Sequence, residues 1–287
     1  MRPVASRRPA AWSAEAMAMM PDKTTTLAEA IAAVPDGATV ALGGNTVHRA
    51  PCAAVHELVR QGKRGLNVVK TAGAYDVDLL CAAGCADAVS AGFIGYETPF
   101  GLAPAYRRAV EGGDVEAREH VCASVIAGLR AAAQGVPFMP LAGMTGSDLP
   151  AARGFRTVAD PYTGAETVAI PAIAPDVAIV HAQEADRQGN ARIVGTLFED
   201  VLMAQAARRV IVTAERIVDA IPADEVTLPG FMVDAVVRAP GGAAPCSCAG
   251  VYVYDEAWLR AWTEAARTAD GAAAFIADRI APAGAAR

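Results

Sequence analysis

The sequence predicts an α/β fold, a mostly parallel sheet with helices on both faces. Three observations carry that expectation. Short continuous apolar runs such as Thr39–Leu42 and Val177–Ala182 suit strands buried on both faces. Stretches with apolar residues at helical spacing fall between those runs. Gly, Pro and Asp punctuate the junctions, as at Pro35-Asp36-Gly37. Strands that alternate with helices build a sheet covered on both sides.

The elements follow in order. A helix over about 26–34 can be capped by Asp22 or one of Thr24–Thr26, with Glu29 close behind. Thr39–Leu42 is a buried strand that runs into Gly43-Gly44. Ala50–Gln61 is helical, with Pro51 in its first turn and a stripe of Ala54, Val55, Leu58 and Val59. Leu66–Thr71 is a strand, Asp76–Ala83 a helix, Ala88–Ile94 a strand, Pro104–Glu111 a helix and Val115–Arg118 a short strand. Ser124–Gln134 is a helix and Phe138–Leu141 a strand. The second half repeats the theme, with strands over Val177–Ala182, Ala191–Val194, Val210–Ala214 and Met232–Val237. A helix covers Glu199–Ala207, and helices over Asp255–Thr268 and Gly271–Ile280 close the chain. Trp258 and Trp262, four apart, read as core or interface. Residues 1–19 read as a disordered leader ahead of a natural start at Met20, and 20–287 as a single domain with a frayed end.

Composition removes several function classes. The chain has 287 residues, 53% of them hydrophobic, which is ample for a core and excludes a disordered protein. No run of about 18 uncharged apolar residues occurs, so no membrane span is expected. Lys and Arg total 25 against 31 Asp and Glu, which argues against nucleic acid as a partner. Six cysteines without paired CxxC spacing read as small reduced residues, consistent with a cytoplasmic protein. The four histidines, His48, His56, His120 and His181, lack HxxxH spacing, so no metal site is expected.

In an open parallel sheet, ligands sit beyond the carboxyl ends of strands. The first such place is Gly43-Gly44-Asn45. Glycines there let a ligand approach the main chain, and free N–H groups can hold an anion or oxyanion. The spacing fits neither GxGxxG nor GxxxxGK[ST]. The alternative is a simple turn. His48 lies in the same loop, and His181 ends Val177–Ala182 in a similar one. Asn190, after Gly189, reads as a tight turn.

Asp36-Gly37, the apolar Val40–Leu42, Gly43-Gly44 and Pro51 resemble the N-terminal signature of family I coenzyme A transferases. Asn45 stands where that signature has Phe, and Arg49 where it has Gly. The continuation Arg49–Gln61 is similar to the α chain of glutaconate CoA-transferases and to that of the ring-opening CoA-ester hydrolases of steroid breakdown. Glu116–Glu119, Gly128–Phe138, Ala185-Asp186 with Gly189-Asn190, and Met232–Ala243 extend the resemblance over about 20–270.

The resemblance implies a reaction. A glutamate attacks an acyl-CoA thioester, passes through an anhydride and carries CoA as a glutamyl thioester to a second acid. That glutamate lies on a β subunit, so this chain is expected to be an α subunit, inactive alone, in an α2β2 assembly. Its substrates are an acyl-CoA and a carboxylic acid, expected to be dicarboxylic or cyclic. Coenzyme A enters as part of the substrate, with no tightly bound cofactor, no metal, no nucleic acid and no membrane partner. Gly43, Gly44, Asn45 and His48 are the expected CoA-binding residues, and Glu97 and Glu119 the expected catalytic acids. In the hydrolase branch an acid of the α chain near the 124–134 helix start activates water; Glu119 or the position of Cys122 would correspond. A cysteine there is read as buried and inert; its alternative is a depressed pKa at the helix N-terminus. Ala244 stands where relatives carry His. The rival readings are the α subunit of that hydrolase and a non-catalytic acyl-CoA or metabolite-binding protein.

Overall fold

The computed structural model describes residues 21–144 and 146–281. The leader expected at 1–19 lies outside the described residues. The first part of the chain forms β1 (Thr24–Thr25), α1 (Leu27–Ala32), β2 (Thr39–Leu42), α2 (Cys52–Arg60), β3 (Leu66–Gly73) and α3 (Tyr75–Ala82). It continues through β4 (Ala86–Glu97), β5 (Gly101–Leu102), α4 (Pro104–Gly112), β6 (Glu116–Glu119) and α5 (Cys122–Ala133). Then come β7 (Phe138–Leu141), α6 (Leu149–Ala152), β8 (Arg156–Ala159) and β9 (Glu166–Pro171). The last part holds β10 (Val177–Asp186), β11 (Ala191–Arg192), α7 (Asp200–Ala206), β12 (Arg209–Val218), β13 (Ala235–Arg238), α8 (Glu256–Ala265) and α9 (Ala269–Arg279).

The large sheet runs β1-β13-β12-β10-β2-β3-β4-β5, with β6 beside β4 and β11 beside β10. Only the β4–β5 and β10–β11 pairs in it are antiparallel among the described residues. From β2 the chain builds outward through β3 and β4, then returns to the other side of β2 as β10 and builds through β12 and β13. The order therefore reverses between β2 and β10, where a crevice opens at the strands' carboxyl ends.

Period-2 alternation divides the core. On β2, Val40 and Leu42 join Ile31, Leu58, Leu79 and Trp262 on one face. Ala41 faces the other way, with Val125, Leu129, Val180, Met203 and Val212. Thr26 caps α1 through a capping box with Glu29. Trp262 is fully buried, and its Nε1 donates to Asp78 Oδ2 at 2.9 Å.

Several expectations need correction. Phe138–Leu141 is a strand but leaves the large sheet, pairing antiparallel with β9 in a three-stranded β7-β9-β8 sheet. Neither β8 nor β9 was anticipated: β8 is largely exposed, and β9 buries only the three-residue run Val168–Ile170. The strand expected over 191–194 shrinks to a two-residue antiparallel pair with β10. The one expected over 232–237 begins at Ala235, after a 3₁₀ turn at Gly230–Met232.

Candidate active site

Gly43 and Gly44 end β2 at the switch point. A Cβ on Gly43 would collide with Asp200 Oδ1, and one on Gly44 with the Arg49 carbonyl oxygen. Gly44 also has φ +69°, which favours glycine. The loop folds onto itself: Asn45 N donates to His48 O at 2.9 Å, and His48 N returns a bond to Asn45 O at 2.8 Å. Gly43 N donates to Ile179 O, and Gly44 N to Asp200 Oδ1, both at 2.9 Å. The three amides expected to cradle an anion are thus already paired inside the protein. The glycines serve close packing of the loop, and a substrate meets the side chains that this packing presents.

Asp200 and Arg49 hold the loop in place. Asp200 opens α7 and is buried; Arg49 Nη2 donates to its Oδ2 at 2.6 Å and Nη1 to its Oδ1 at 3.1 Å. Arg49 also donates to the carbonyls of His181 and Thr196, at 2.8 and 3.0 Å. A second buried pair, Lys70 with Asp76, sits beneath, and Lys70 Nζ donates to Gly43 O at 2.8 Å. Buried charges persist when paired and hydrogen-bonded, as these are. Sequence reasoning missed both pairs. The available signal was a lysine inside the apolar run Leu66–Thr71 and an arginine displacing the signature glycine.

The structure brings some expected residues to this loop and not others. Glu97 ends β4 at φ +61°, and its Oε1 lies 3.4 Å from the Thr46 hydroxyl. His48 is exposed, its Nδ1 3.0 Å from Ser247 Oγ. Asn45 is half-buried at the loop's turn. Glu119 lies on the edge strand β6, exposed, where its charge acts on Tyr106. Cys122 is exposed rather than buried, at the first position of α5, with its Sγ 3.5 Å from Thr71 O. Its pKa is raised, not depressed; partial burial and the Glu199 carboxylate outweigh the helix terminus. The acid that reaches Cys122 is therefore Glu199, which sequence reasoning did not single out. The Thr71 hydroxyl donates to Glu199 Oε2 at 2.5 Å.

His181 is not in a loop: β10 continues to Asp186, and the ring is buried within it. Burial lowers its pKa against the pull of Glu215, whose Oε1 lies 2.9 Å from Nε2. Burial pushes Glu215 up, but hydrogen bonds from His181, Tyr252 and Gly241 N prevail and hold it below the usual range. Cys248 completes a cluster with donor atoms within 4.8 Å of one another, yet the Glu215 carboxylate is already engaged by these three donors. Asn190 is structural: its side chain donates to Asp186 Oδ2 and accepts from Gly230 N.

Over the loop lies a cleft of about 100 Å³, between His48, Phe198, Ser247 and Ala249. A larger cleft of about 730 Å³, lined by Arg130, Gln134, Leu202 and Phe231, lies at the far ends of α5 and α7. Their near ends carry Cys122 and Asp200, so the larger space belongs to the opposite edge of the sheet. Chemistry, not size, picks the site.

The sequence profile of the coenzyme A transferase family matches residues 24–239. The chain belongs to that family. The chain is 39% identical to the A chain of the 3-oxoadipate CoA-transferase of Pseudomonas knackmussii, covering 89% of this chain and 92% of that one. It is 37% identical to the cholesterol ring-cleaving hydrolase IpdA subunit of Mycobacterium tuberculosis, covering 90% and 92%. Glutaconate coenzyme A-transferase from Acidaminococcus fermentans superposes with a TM-score of 0.85 at 32% identity, covering 91% and 90%. The decarboxylase AibA/AibB superposes with a TM-score of 0.83 at 38% identity, covering 90% and 99%. The chain spans 59% of the length of an uncharacterised Archaeoglobus fulgidus protein, to which it is 39% identical. Among the described residues, no helix is long and apolar enough to cross a membrane.

Proposed function

We propose that this chain is the α subunit of a heteromeric coenzyme A transferase that moves CoA between an acyl-CoA and a carboxylic acid, with the nucleophilic glutamate supplied by a β partner in an α2β2 assembly. One observation carries the need for a partner. Val194 lines the cleft over the glycine loop, and Leu197, Val251 and Val253, near in sequence to its lining residues Phe198 and Ala249, are exposed, the last 84%. Gln183 binds the backbone of Val194 and Ala249, so these two rim segments form one surface. Exposed large apolar side chains on two hydrogen-bonded segments beside a cleft support an interaction surface there. Within the chain, Asp200 is fully engaged and Glu97 is exposed, so neither is poised as a buried nucleophile.

In this reading the glycine loop shapes the wall against which the thioester lies, and Asn45, His48 and Glu97 present side chains to the CoA ester. Coenzyme A comes and goes as substrate, no cofactor stays bound, and the enzyme works in the cytoplasm. The hydrolase reading has one observation in its favour: Glu199 brings a carboxylate to the start of α5, where water activation would need one. A lone acyl-CoA-binding protein is the third.

The deciding experiment is co-expression with the product of the neighbouring gene, followed by an acyl-CoA assay with and without acceptor acids. Complex formation and CoA movement only with an acceptor are expected. Acyl-CoA consumption without an acceptor supports the hydrolase. A chain that binds acyl-CoA and no partner ends the subunit reading.

A further inference from the structure

Residues 241–252 supply Ser247 and Ala249 to the lining of the cleft, beside His48 and Phe198. Ser247 is tied to the glycine loop: its N donates to Val47 O at 2.8 Å, and Arg49 N donates to its O at 2.7 Å. His48 Nδ1 lies 3.0 Å from Ser247 Oγ. Both ends of the segment meet one carboxylate. Gly241 N donates to Glu215 Oε2 at 2.7 Å, and the Tyr252 hydroxyl donates to Oε1. That hydroxyl also accepts from Ala243 N at 3.0 Å. The backbones of Tyr252 and Cys248 exchange two bonds, at 2.9 and 3.0 Å, so the hold reaches the residue between Ser247 and Ala249. Glu215 is fixed in turn: it is buried on β12, with His181 Nε2 2.9 Å from Oε1. An ionised carboxylate only accepts, so this nitrogen carries the proton, and Nδ1 accepts from the Thr213 hydroxyl at 2.9 Å.

We infer that Glu215 is a positioning residue for the cleft: its two oxygens clasp the ends of 241–252 and hold the Ser247–Ala249 wall against His48. The clasp needs a carboxylate. Donors from His181, Gly241 and Tyr252 converge on it, and a side chain with two acceptor oxygens and no hydrogen of its own takes all of them. An amide of the same shape turns an N–H toward one of these donors, and that contact is lost. Glu215 does not line the cleft itself and acts through Ser247 and His48. The inference rests on the proposed function only in taking the ligand of the cleft to be a CoA ester.

The first test is NMR of the histidine ring nitrogens in the chain at neutral pH. Ser247→Ala removes the contact to His48 directly and gives the signature of a released ring. Glu215→Gln is expected to move the His48 nitrogens in the same direction while those of His120, bonded to Ser124 beside α5, stay in place. A folded Glu215→Gln chain with wild-type His48 nitrogens overturns the inference. So does one in which His120 moves as far, since that is general loosening. Tyr252→Phe opens one end of the clasp and leaves the charge, so a smaller shift in the same direction is expected. It carries the test where Glu215→Gln does not fold, and no shift there overturns the inference. The second test is calorimetry of coenzyme A with the chain co-purified with its β partner. Glu215→Gln is expected to weaken binding by about fivefold or more. Equal affinity overturns the inference. A wild-type complex that binds no coenzyme A defeats the proposed function alone, and the ring nitrogens still decide the clasp.

Discussion

Around Gly43-Gly44, the buried pairs Arg49–Asp200 and Lys70–Asp76 tie the ends of β2, β3 and β10 into one hydrogen-bonded block. The three-stranded β7-β9-β8 sheet is built differently: β7 and β8 contain no buried residue. Its small core is Met144, Val168 and Ile170 against Ala127 of α5. The first region fixes positions through groups that cannot be removed singly without stranding a charge. The second relies on a few apolar contacts and open turns. A site built on the first keeps its geometry while the second varies.

Removing one partner of the buried block should break the comparison most sharply. Asp200→Ala strands the Arg49 guanidinium and the Gly44 N–H. A loss of about 3–5 kcal/mol is expected in chemical denaturation. Glu166→Ala on β9 removes an exposed side chain with a single 3.5 Å contact from Thr157. It should change stability by less than about 0.5 kcal/mol. Comparable losses in the two variants would show that the block is no better determined than the small sheet.

Glycine substitutions sharpen the same contrast at smaller cost. Gly164, in the turn between β8 and β9, has φ +75° and nothing within 4 Å of an added Cβ. Gly164→Ala should cost about 1–2 kcal/mol, the strain of the left-handed conformation alone. Gly44→Ala carries the same strain plus a collision with the Arg49 carbonyl, which is backbone and cannot swing aside. An additional loss of about 1–3 kcal/mol is expected, read as a difference in denaturation midpoint at constant slope.

The sequence made the two regions unequally legible. The parallel core was readable because Thr39–Leu42, Leu66–Gly73 and Val177–Asp186 are buried on both faces and must be apolar through most of their length. The small sheet was not, since Arg156–Ala159 and Glu166–Pro171 mix exposed and more buried positions. The places of the glycine pair and of Glu97 at strand ends were legible. Glu199 was not, because what makes it notable is Thr71, 128 residues away in the chain. Nor could the sequence reveal that Asp200, distant by 156 residues, occupies the Gly44 amide. Hydrogen bonds across strand crossovers leave no local pattern.

The smallest effect is absent at neutral pH. His56, in α2, and His120, ahead of α5, are each lowered to about 4, chiefly by burial. An exposed histidine in the unfolded chain titrates near about 6.5. The folded state therefore refuses a proton that the unfolded state accepts. The stability each ring protects is whole above about pH 6.5 and declines as pH falls toward about 4. Asp78, raised to about 6 chiefly by burial, has the opposite sign: it costs stability as pH rises from about 4 to 6. The wild-type curve sums both, so the informative quantity is the difference between variants. His120→Asn keeps a partner for the Ser124 hydroxyl, which His120 Nδ1 meets at 2.9 Å. It should leave stability at pH 7.5 within about 1 kcal/mol of wild type and recover about 1–2 kcal/mol relative to it at pH 5. His120 packs 5.6 Å from Phe155, next to the small sheet, whereas His56 packs 5.7 Å from Tyr75 in the large core. If the looser region admits water to its ring, His56→Asn will flatten the acid limb and His120→Asn will not.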